Sequence, residues 1–104
     1  MRLVLAILLL PALAFASSAP RSAELPSADR IAPWIRAHVG DRVSDQVRVC
    51  VATDGHVTSV RLVRPSSYSA FDNAVVTDVA QWKFAPVAEP RCMVRTVEYD
   101  TIRD

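Results

Sequence analysis

The chain has 104 residues, of which 51% are hydrophobic, and its 12 basic and 11 acidic side chains leave a formal net charge of +1. This length suits one small domain with a modest core. The basic residues are scattered among acidic ones along the chain, which argues against nucleic acid as a partner, because phosphate binding requires a one-sided basic surface.

Residues 1–16 have the pattern of a cleavable signal peptide. Arg2 gives a basic start, and an uncharged apolar run with one proline continues to small residues around Ala16. The run is shorter than the roughly 20 residues that a bilayer-spanning helix needs. We therefore predict export to the periplasm or out of the cell. Cleavage after Ala16 is preferred to cleavage after Ala19, and no stable membrane span is expected afterwards.

The next segment is predicted to join this leader to a single folded domain. Residues 17–27 are rich in Ser, Ala and Pro without apolar periodicity, so they are interpreted as a short tether before a domain spanning residues 28–104. Apolar spacing predicts a helix over residues 28–39, with Pro33 in its first turn and Gly40 at its end. The polar residues that follow, 41–46, are predicted to be a connector.

A hairpin is predicted around Asp54-Gly55, which separates two apolar runs at residues 46–53 and 56–63. This pair favours a two-residue type I′ turn, because both central residues of that turn need positive φ. The register set by such a turn collects the apolar side chains on one face. The pairs on that face would be Val47 with Leu62, Val49 with Val60 and Val51 with Thr58.

The rest of the chain predicts a helix and a third strand. From Ser69 the apolar residues recur at helical spacing to about Trp82, with Asp72 in the first turn, where it suits the helix dipole. Residues 92–99 read as a strand. Helix, hairpin, helix and strand together indicate an α+β fold, ordered α-ββ-α-β, with a three-stranded sheet.

Several of these elements carry motifs that resemble the C-terminal domain of TonB-family proteins, over about residues 46–99. The strongest is Trp82-Lys83-Phe84-Ala85-Pro86, which is similar to the family pattern Trp-Arg/Lys-Phe-x-Pro and follows a helix containing an Asp-x-Ala sequence. The residues that carry the resemblance most clearly are Asp54, Gly55, Asp72, Ala74, Trp82, Phe84 and Pro86.

The resemblance implies an antiparallel sheet in which the last strand lies beside the first and a helix packs on one face. It implies that Trp82 and Phe84 are core anchors, since large aromatic side chains mostly contribute burial. It also implies a module that recognises a peptide by pairing it to a sheet edge. The long Pro-rich spacer of TonB itself has no counterpart here, so the resemblance implies the binding module and not energy transduction.

Two cysteines, Cys50 and Cys92, are the candidates for a disulfide. Their spacing matches neither a redox motif nor a four-ligand zinc site, and export favours an oxidised pair. The topology implied by the resemblance brings the end of the first strand to the start of the third, which places the two cysteines together. Arg95 shares the apolar face of the third strand and is expected at its rim, with its charged group in water.

The third strand is the candidate partner-binding edge. In the strand order implied by the resemblance, the first strand is central and both others are edges. The second strand carries Arg61 and Arg64, charges that discourage pairing with another chain. The third offers a better template, and its candidate binding residues are Val94, Arg95, Thr96, Val97 and Tyr99.

No set of residues in the sequence suggests catalysis, a cofactor or a metal. His38 is expected at a helix end and His56 beside a turn, Ser66 lacks the glycines of a nucleophile elbow, and Asp41 and Asp45 are interpreted as solvated connector residues. The favoured function is therefore an exported, non-enzymatic module that binds a protein or peptide partner in the envelope. We expect it to act as an accessory to envelope transport. The alternatives are a membrane-tethered structural envelope protein and a small secreted enzyme or enzyme inhibitor.

Overall fold

The computed structural model describes residues 20–22 and 24–102, so the predicted signal peptide lies outside the described residues. Its architecture is α+β, as predicted. Among the described residues, no helix has the length and apolar character needed to cross a bilayer. In chain order the elements are β1 (Pro20–Ser22), α1 (Pro26–Arg30), α2 (Ala32–Val39), β2 (Arg42–Val51), β3 (Val57–Arg64), α3 (Ser69–Val79), β4 (Lys83–Phe84) and β5 (Arg91–Asp100).

The main sheet has three antiparallel strands in the order β3-β2-β5. This order confirms the prediction that the last strand of this sheet, β5, lies beside its first, β2. Strands β2 and β5 pair without interruption from Arg42 opposite Asp100 to Val51 opposite Arg91. The short strands β1 and β4 form a separate two-stranded sheet.

The core lies between one face of the main sheet and the helices. The inward side chains of β2 alternate with outward ones, and the apolar stripe of α3 packs against them. Burial of each large apolar side chain contributes about 1.5–3 kcal/mol relative to exposure. The fully buried side chains include Val47, Val49 and Val51 of β2 and Phe71, Val75 and Val79 of α3. On the opposite face, here called the open face, the side chains of the described residues are exposed or half-buried.

The helix predicted over residues 28–39 is two helices, separated at Ile31, where φ is −110° and ψ is 17°. The break has a local cause: Pro33 has no N–H to donate, and its ring opposes the carbonyl of the residue four positions earlier. Pro33 lies in the first turn of α2 and Gly40 ends that helix, as predicted.

Residues before position 28 also belong to the folded domain. Leu25 is 5% exposed and belongs to the core, and α1 starts at Pro26. The Asp78 carboxylate of α3 accepts hydrogen bonds from the Ser27 N–H, at 2.9 and 3.1 Å, and from the Ala28 N–H, at 3.3 Å. These bonds satisfy backbone donors that the helix itself cannot satisfy. Residues 24–27, which were predicted to belong to a tether, are therefore part of the folded domain.

The connector predicted over residues 41–46 is wrong, because β2 begins at Arg42. Val43 and Asp45 continue the inward alternation of this strand, and both are buried. A polar residue at an inward position hides the apolar–polar alternation by which a strand is predicted.

The prediction of a type I′ turn at Asp54-Gly55 is also wrong. Gly55 has φ of 92°, but no described residue other than glycine has positive φ, so Asp54 does not adopt the conformation that this turn requires. The Gly55 N–H donates to the Ala52 carbonyl at 2.9 Å, and the Ala52 N–H donates to the His56 carbonyl at 3.0 Å. The hairpin thus has a three-residue loop that ends in a left-handed glycine.

The longer loop shifts the register only near the turn. Val51 lies opposite Val57 and not Thr58, and a bulge between Cys50 and Val51 absorbs the extra residue. Beyond the bulge the predicted pairs of Val49 with Val60 and of Val47 with Leu62 are confirmed.

Candidate functional site

Strand β5 forms one edge of the main sheet and presents its predicted binding residues on two faces. Val94 is 55% exposed and Thr96 is exposed on the open face of the sheet. Arg95 is half-buried on the other face, where Val97 and Tyr99 are buried in the core. The side chains of these last two residues hold the strand in place on the core.

The spacing of the β2–β5 pair shows which backbone groups point away from the sheet. Opposite residues in an antiparallel pair alternate between a wide hydrogen-bonded pair and a narrow pair without mutual bonds. Cys50 and Cys92 are a narrow pair, with 3.9 Å between their Cα atoms. At the other end the Thr101 N–H donates to the Asp41 carbonyl at 2.9 Å, so this opposite pair is a hydrogen-bonded one. Counting from either end, the odd-numbered residues of β5 bond to β2 and the even-numbered ones do not. The N–H and C=O groups of Val94, Thr96 and Glu98 therefore point outward.

These outward groups face a side of β5 on which no described strand lies. The pairing with β2 covers all ten residues of β5 without a bulge. The other edge strand, β3, is less regular: its pairing with β2 is interrupted between Gln46 and Val47 and again between Cys50 and Val51. Bulges are one way in which proteins discourage edge pairing, so β5 is the better template.

Side-chain contacts fix β5 on the core. The Arg95 guanidinium lies 5.9 Å from the ring centroid of Phe84, a cation–π contact that joins the half-buried Arg95 to the core. The Tyr99 hydroxyl donates to the Asp29 carboxylate at 2.6 Å, and its ring lies 5.9 Å from that of Phe71. The strand is thus held from one face while its outer edge stays open.

The predicted disulfide is confirmed between Cys50 and Cys92. It joins directly opposite residues of β2 and β5 on the open face of the sheet. In the chain-entropy model, a closed loop of this size stabilises the fold by about 4 kcal/mol. The bond secures the end of β5 that follows the loop from β4.

The motif residues at the end of α3 are structural. This helix ends at Val79, earlier than predicted, and Trp82 follows in a turn. Trp82 is 8% exposed and donates from Nε1 to the Glu24 carbonyl at 2.8 Å, and Phe84 is 3% exposed. Both are core anchors. Ala74 is also buried, and Pro86 is exposed.

Asp72 organises the loop before α3. Its Oδ1 accepts hydrogen bonds from the Ser66 hydroxyl at 2.6 Å and from the Ser66 N–H at 3.0 Å. Ser66 is thereby committed to a carboxylate that is 7% exposed. These bonds hold the loop in place before α3.

Asp45 is a functional candidate that the sequence reading missed, and its predicted solvation is wrong. It is 1% exposed, and neither carboxylate oxygen has a hydrogen-bond partner among the described residues. Burial, reinforced by the neighbouring Asp72, raises its pKa from 3.8 to about 7. The signal in the sequence was its position in the alternation Val43-x-Asp45-x-Val47.

The histidines do not converge on a site. His38 stacks on Tyr68 with 4.4 Å between ring centroids. His56 lies beside Asp54, and its backbone N–H, which donates to the Asp54 carboxylate at 3.0 Å, lowers the pKa of that carboxyl. Within the described part of the chain, no group of three or more His, Cys, Asp or Glu side chains could hold a metal ion.

Comparison with known proteins identifies the domain. Searches of curated proteins and of solved structures found no match to the chain. The family model described as the Gram-negative bacterial TonB protein C-terminal matches residues 42–100, which is more than half of the chain. The matched segment starts and ends with the paired strands β2 and β5. C-terminal domains of this family are periplasmic, non-enzymatic protein-interaction modules in envelope transport. The chain belongs to the TonB C-terminal domain family.

Proposed function

We propose that this protein is an exported, non-enzymatic module that captures a peptide or partner protein in the envelope by adding a strand to the free edge of β5, as an accessory to envelope transport. The observation that carries the proposal is the ten-residue, uninterrupted register of β5 on β2. It supplies a straight row of outward backbone groups, which is what an added strand requires.

The backbone of β5 gives affinity without demanding a particular sequence. Outward groups at Val94, Thr96 and Glu98 recur every second residue, about 7 Å apart, which is the repeat of an extended chain. Each can exchange hydrogen bonds with a partner strand laid antiparallel or parallel to β5.

Side chains beside the edge add selectivity. Val94 and Thr96 are exposed on the open face, and Arg95 lies on the opposite face at the rim of the core. A captured segment would thus meet an apolar and a hydroxyl group on one side and a cation on the other, in keeping with the alternation of a β-strand.

The test replaces an outward backbone donor. Thr96→Pro removes an N–H that faces away from β2, so the pairing with β2 is expected to survive, as proline is tolerated on edge strands. Thr96→Val keeps the donor and is the matched control. Partner capture is measured by crosslinking pull-down from periplasmic extract, and the fold is checked by circular dichroism.

We expect Thr96→Pro to lose the partner that the wild type and Thr96→Val both retain. Val97→Pro is the contrasting variant: its N–H faces β2 and its side chain is 4% exposed, so this change is expected to disrupt the fold itself. A folded Thr96→Pro protein that captures the partner as well as the wild type would show that strand addition at β5 is wrong.

A further inference from the structure

The open face of the main sheet carries three neighbouring arginines, here called the arginine cluster: Arg48, Arg61 and Arg64. Arg48 lies directly opposite Arg61 in the β2–β3 pair. Arg64 lies opposite Gln46, the next residue of β2 on the same face. All three are exposed, and none forms an ion pair with an acidic residue in the described part of the chain.

A bulge brings Arg64 into this cluster. Leu62 pairs with Val47 and Arg64 pairs with Gln46, so Val63 is an extra residue on β3. In a regular strand Arg64 would lie on the same face as Leu62, because side chains alternate. The extra residue turns it onto the open face with the other two arginines.

Charge repulsion between Arg48 and Arg61 opposes the pairing of β2 with β3. Like charges directly opposite each other in a cross-strand pair are unfavourable. Arginine is also the side chain best suited to bind carboxylates, because its planar fork donates two parallel hydrogen bonds. A surface that concentrates unpaired guanidinium groups at a cost in stability is typical of a binding surface.

Exposed apolar side chains flank the arginine cluster. Val94 of β5 lies next to Arg48 on the side away from Arg61, and it is 55% exposed. Val63, the extra residue of the bulge, precedes Arg64 in the chain and is 50% exposed. Arginines next to accessible apolar groups are a common composition of protein-binding surfaces.

From this geometry we infer that the arginine cluster docks an acidic polypeptide segment of a partner protein. Arg48 and Arg61 lie on adjacent strands about 5 Å apart, close enough to hold one carboxylate between them. Arg64 lies about 7 Å further along the same face, which matches the spacing of alternate side chains in an extended segment. The fitting partner carries acidic residues at alternate positions of an extended segment, so that successive acidic side chains meet the arginine cluster.

The charges elsewhere on this face disfavour an anionic membrane as the occupant. Glu98 and Asp100 lie at the far end of the same face, opposite Ser44 and Arg42. A flat anionic surface would meet these carboxylates together with the arginines, whereas a polypeptide with localised acids need not. The arginine cluster lies on β2 and β3, away from the outer edge of β5, and binding there does not require strand addition.

The test uses a fluorescently labelled octapeptide of alternating Glu and Val, with a Gln-Val octapeptide as its uncharged counterpart. The variant replaces all three residues of the arginine cluster by Gln. A matched control replaces three exposed arginines elsewhere, Arg30→Gln, Arg36→Gln and Arg91→Gln, with the same change of net charge. Binding is followed by fluorescence anisotropy at low and at high salt.

We expect the Glu-Val peptide to bind at least about tenfold more weakly to the cluster variant, and within about twofold of wild type to the control, since the effect depends on local charge. The thermal stability of the cluster variant should equal or exceed that of the wild type, because a like-charge pair is removed. A purely structural role of these arginines would lower it.

Three results would overturn the inference. One is equal binding of the Glu-Val peptide to the cluster variant and the wild type. The second is arginine-dependent sedimentation with phosphatidylglycerol vesicles in the absence of peptide binding, which would assign the surface to a membrane. The third is an equal loss of peptide binding in Thr96→Pro, which would place the peptide on the β5 edge. Failure of partner capture in Thr96→Pro with intact peptide binding leaves the two surfaces distinct.

Discussion

Gly55 lies directly against the backbone of Phe84. The Gly55 carbonyl accepts a hydrogen bond from the Phe84 N–H at 2.9 Å, and a Cβ placed on Gly55 would overlap the Phe84 carbonyl oxygen. A second bond from the Val87 N–H to the Thr53 carbonyl, at 2.9 Å, ties the same turn to the same segment. The Asp-Gly turn and the Trp-Lys-Phe-x-Pro motif, distant in sequence, are therefore two sides of one contact.

This contact predicts that Gly55→Ala destabilises the protein strongly. Alanine disfavours φ of 92°, and its Cβ would have no room beside Phe84. We expect the free energy of unfolding in urea to fall by more than about 2 kcal/mol. This loss combines the cost of the left-handed backbone conformation with the cost of displacing the segment around Phe84.

Gly40→Ala is the matched control for this change. Gly40 has φ of 104°, but a Cβ there would meet nothing within 4 Å. It is expected to cost only the backbone term, about 1–2 kcal/mol. Equal losses in the two variants would show that the approach of Phe84 contributes nothing.

The buried Asp45 predicts that stability decreases as the pH rises. Its pKa is about 7 in the folded protein against an ordinary value of 3.8, so between these values the folded state holds a proton that the unfolded state has lost. In that window the free energy of unfolding falls by about 1.4 kcal/mol per pH unit from this group. The contribution is fully present below pH 3.8 and is lost as the pH passes about 7.

Asp45→Asn should remove this pH dependence and make the protein more stable than the wild type at pH 8, because no charge then needs to be buried. Urea unfolding at several pH values from 4 to 8 measures the difference between the two proteins. Asp41→Asn, at an exposed position, is the control and should change little. If the two curves run parallel for Asp45→Asn and wild type, the carboxyl of Asp45 is not perturbed by burial.

Because Cys50 and Cys92 form a disulfide, we expect the isolated protein to contain no free thiol and to lose stability when this bond is removed. Thiol titration of the unreduced, denatured protein should find no free thiol, and replacing Cys50 and Cys92 by serine should lower the free energy of unfolding by about 4 kcal/mol. Two reactive thiols would contradict the pairing of β2 with β5 in an oxidising compartment.

The signal peptide predicted at residues 1–16 implies that the exported protein lacks these residues. The apolar run within residues 1–16 is interrupted by proline and is shorter than the roughly 20 residues of a membrane span, so we expect cleavage. The intact mass of the exported protein should correspond to a chain that begins at Ser17 or Pro20. A mass that still includes residues 1–16 would support the membrane-tethered alternative.

Much of the fold could be predicted because its signals are local. Helical spacing from Ser69, the turn residues Asp54-Gly55 and the alternation in residues 92–99 each depend on neighbours in sequence. The order of strands came from the family resemblance, which carries tertiary information that periodicity lacks. The disulfide was predicted from the expected export and from the strand order that the resemblance implies. The edge position of β5 was predicted in the same way, as a consequence of strand order.

What the sequence alone determined was which side of each element is apolar, because that property is set by residues two to four positions apart. Tertiary structure decided the rest. Contact with Phe84 explains why position 55, in a three-residue loop, requires glycine. Burial beside Asp72 raises the pKa of Asp45. One extra residue in β3 places Arg64 on the same face as Arg48 and Arg61. Each of these findings depends on contacts between segments that are distant in the chain. The spacing of apolar residues within one segment does not determine which distant residues it will contact.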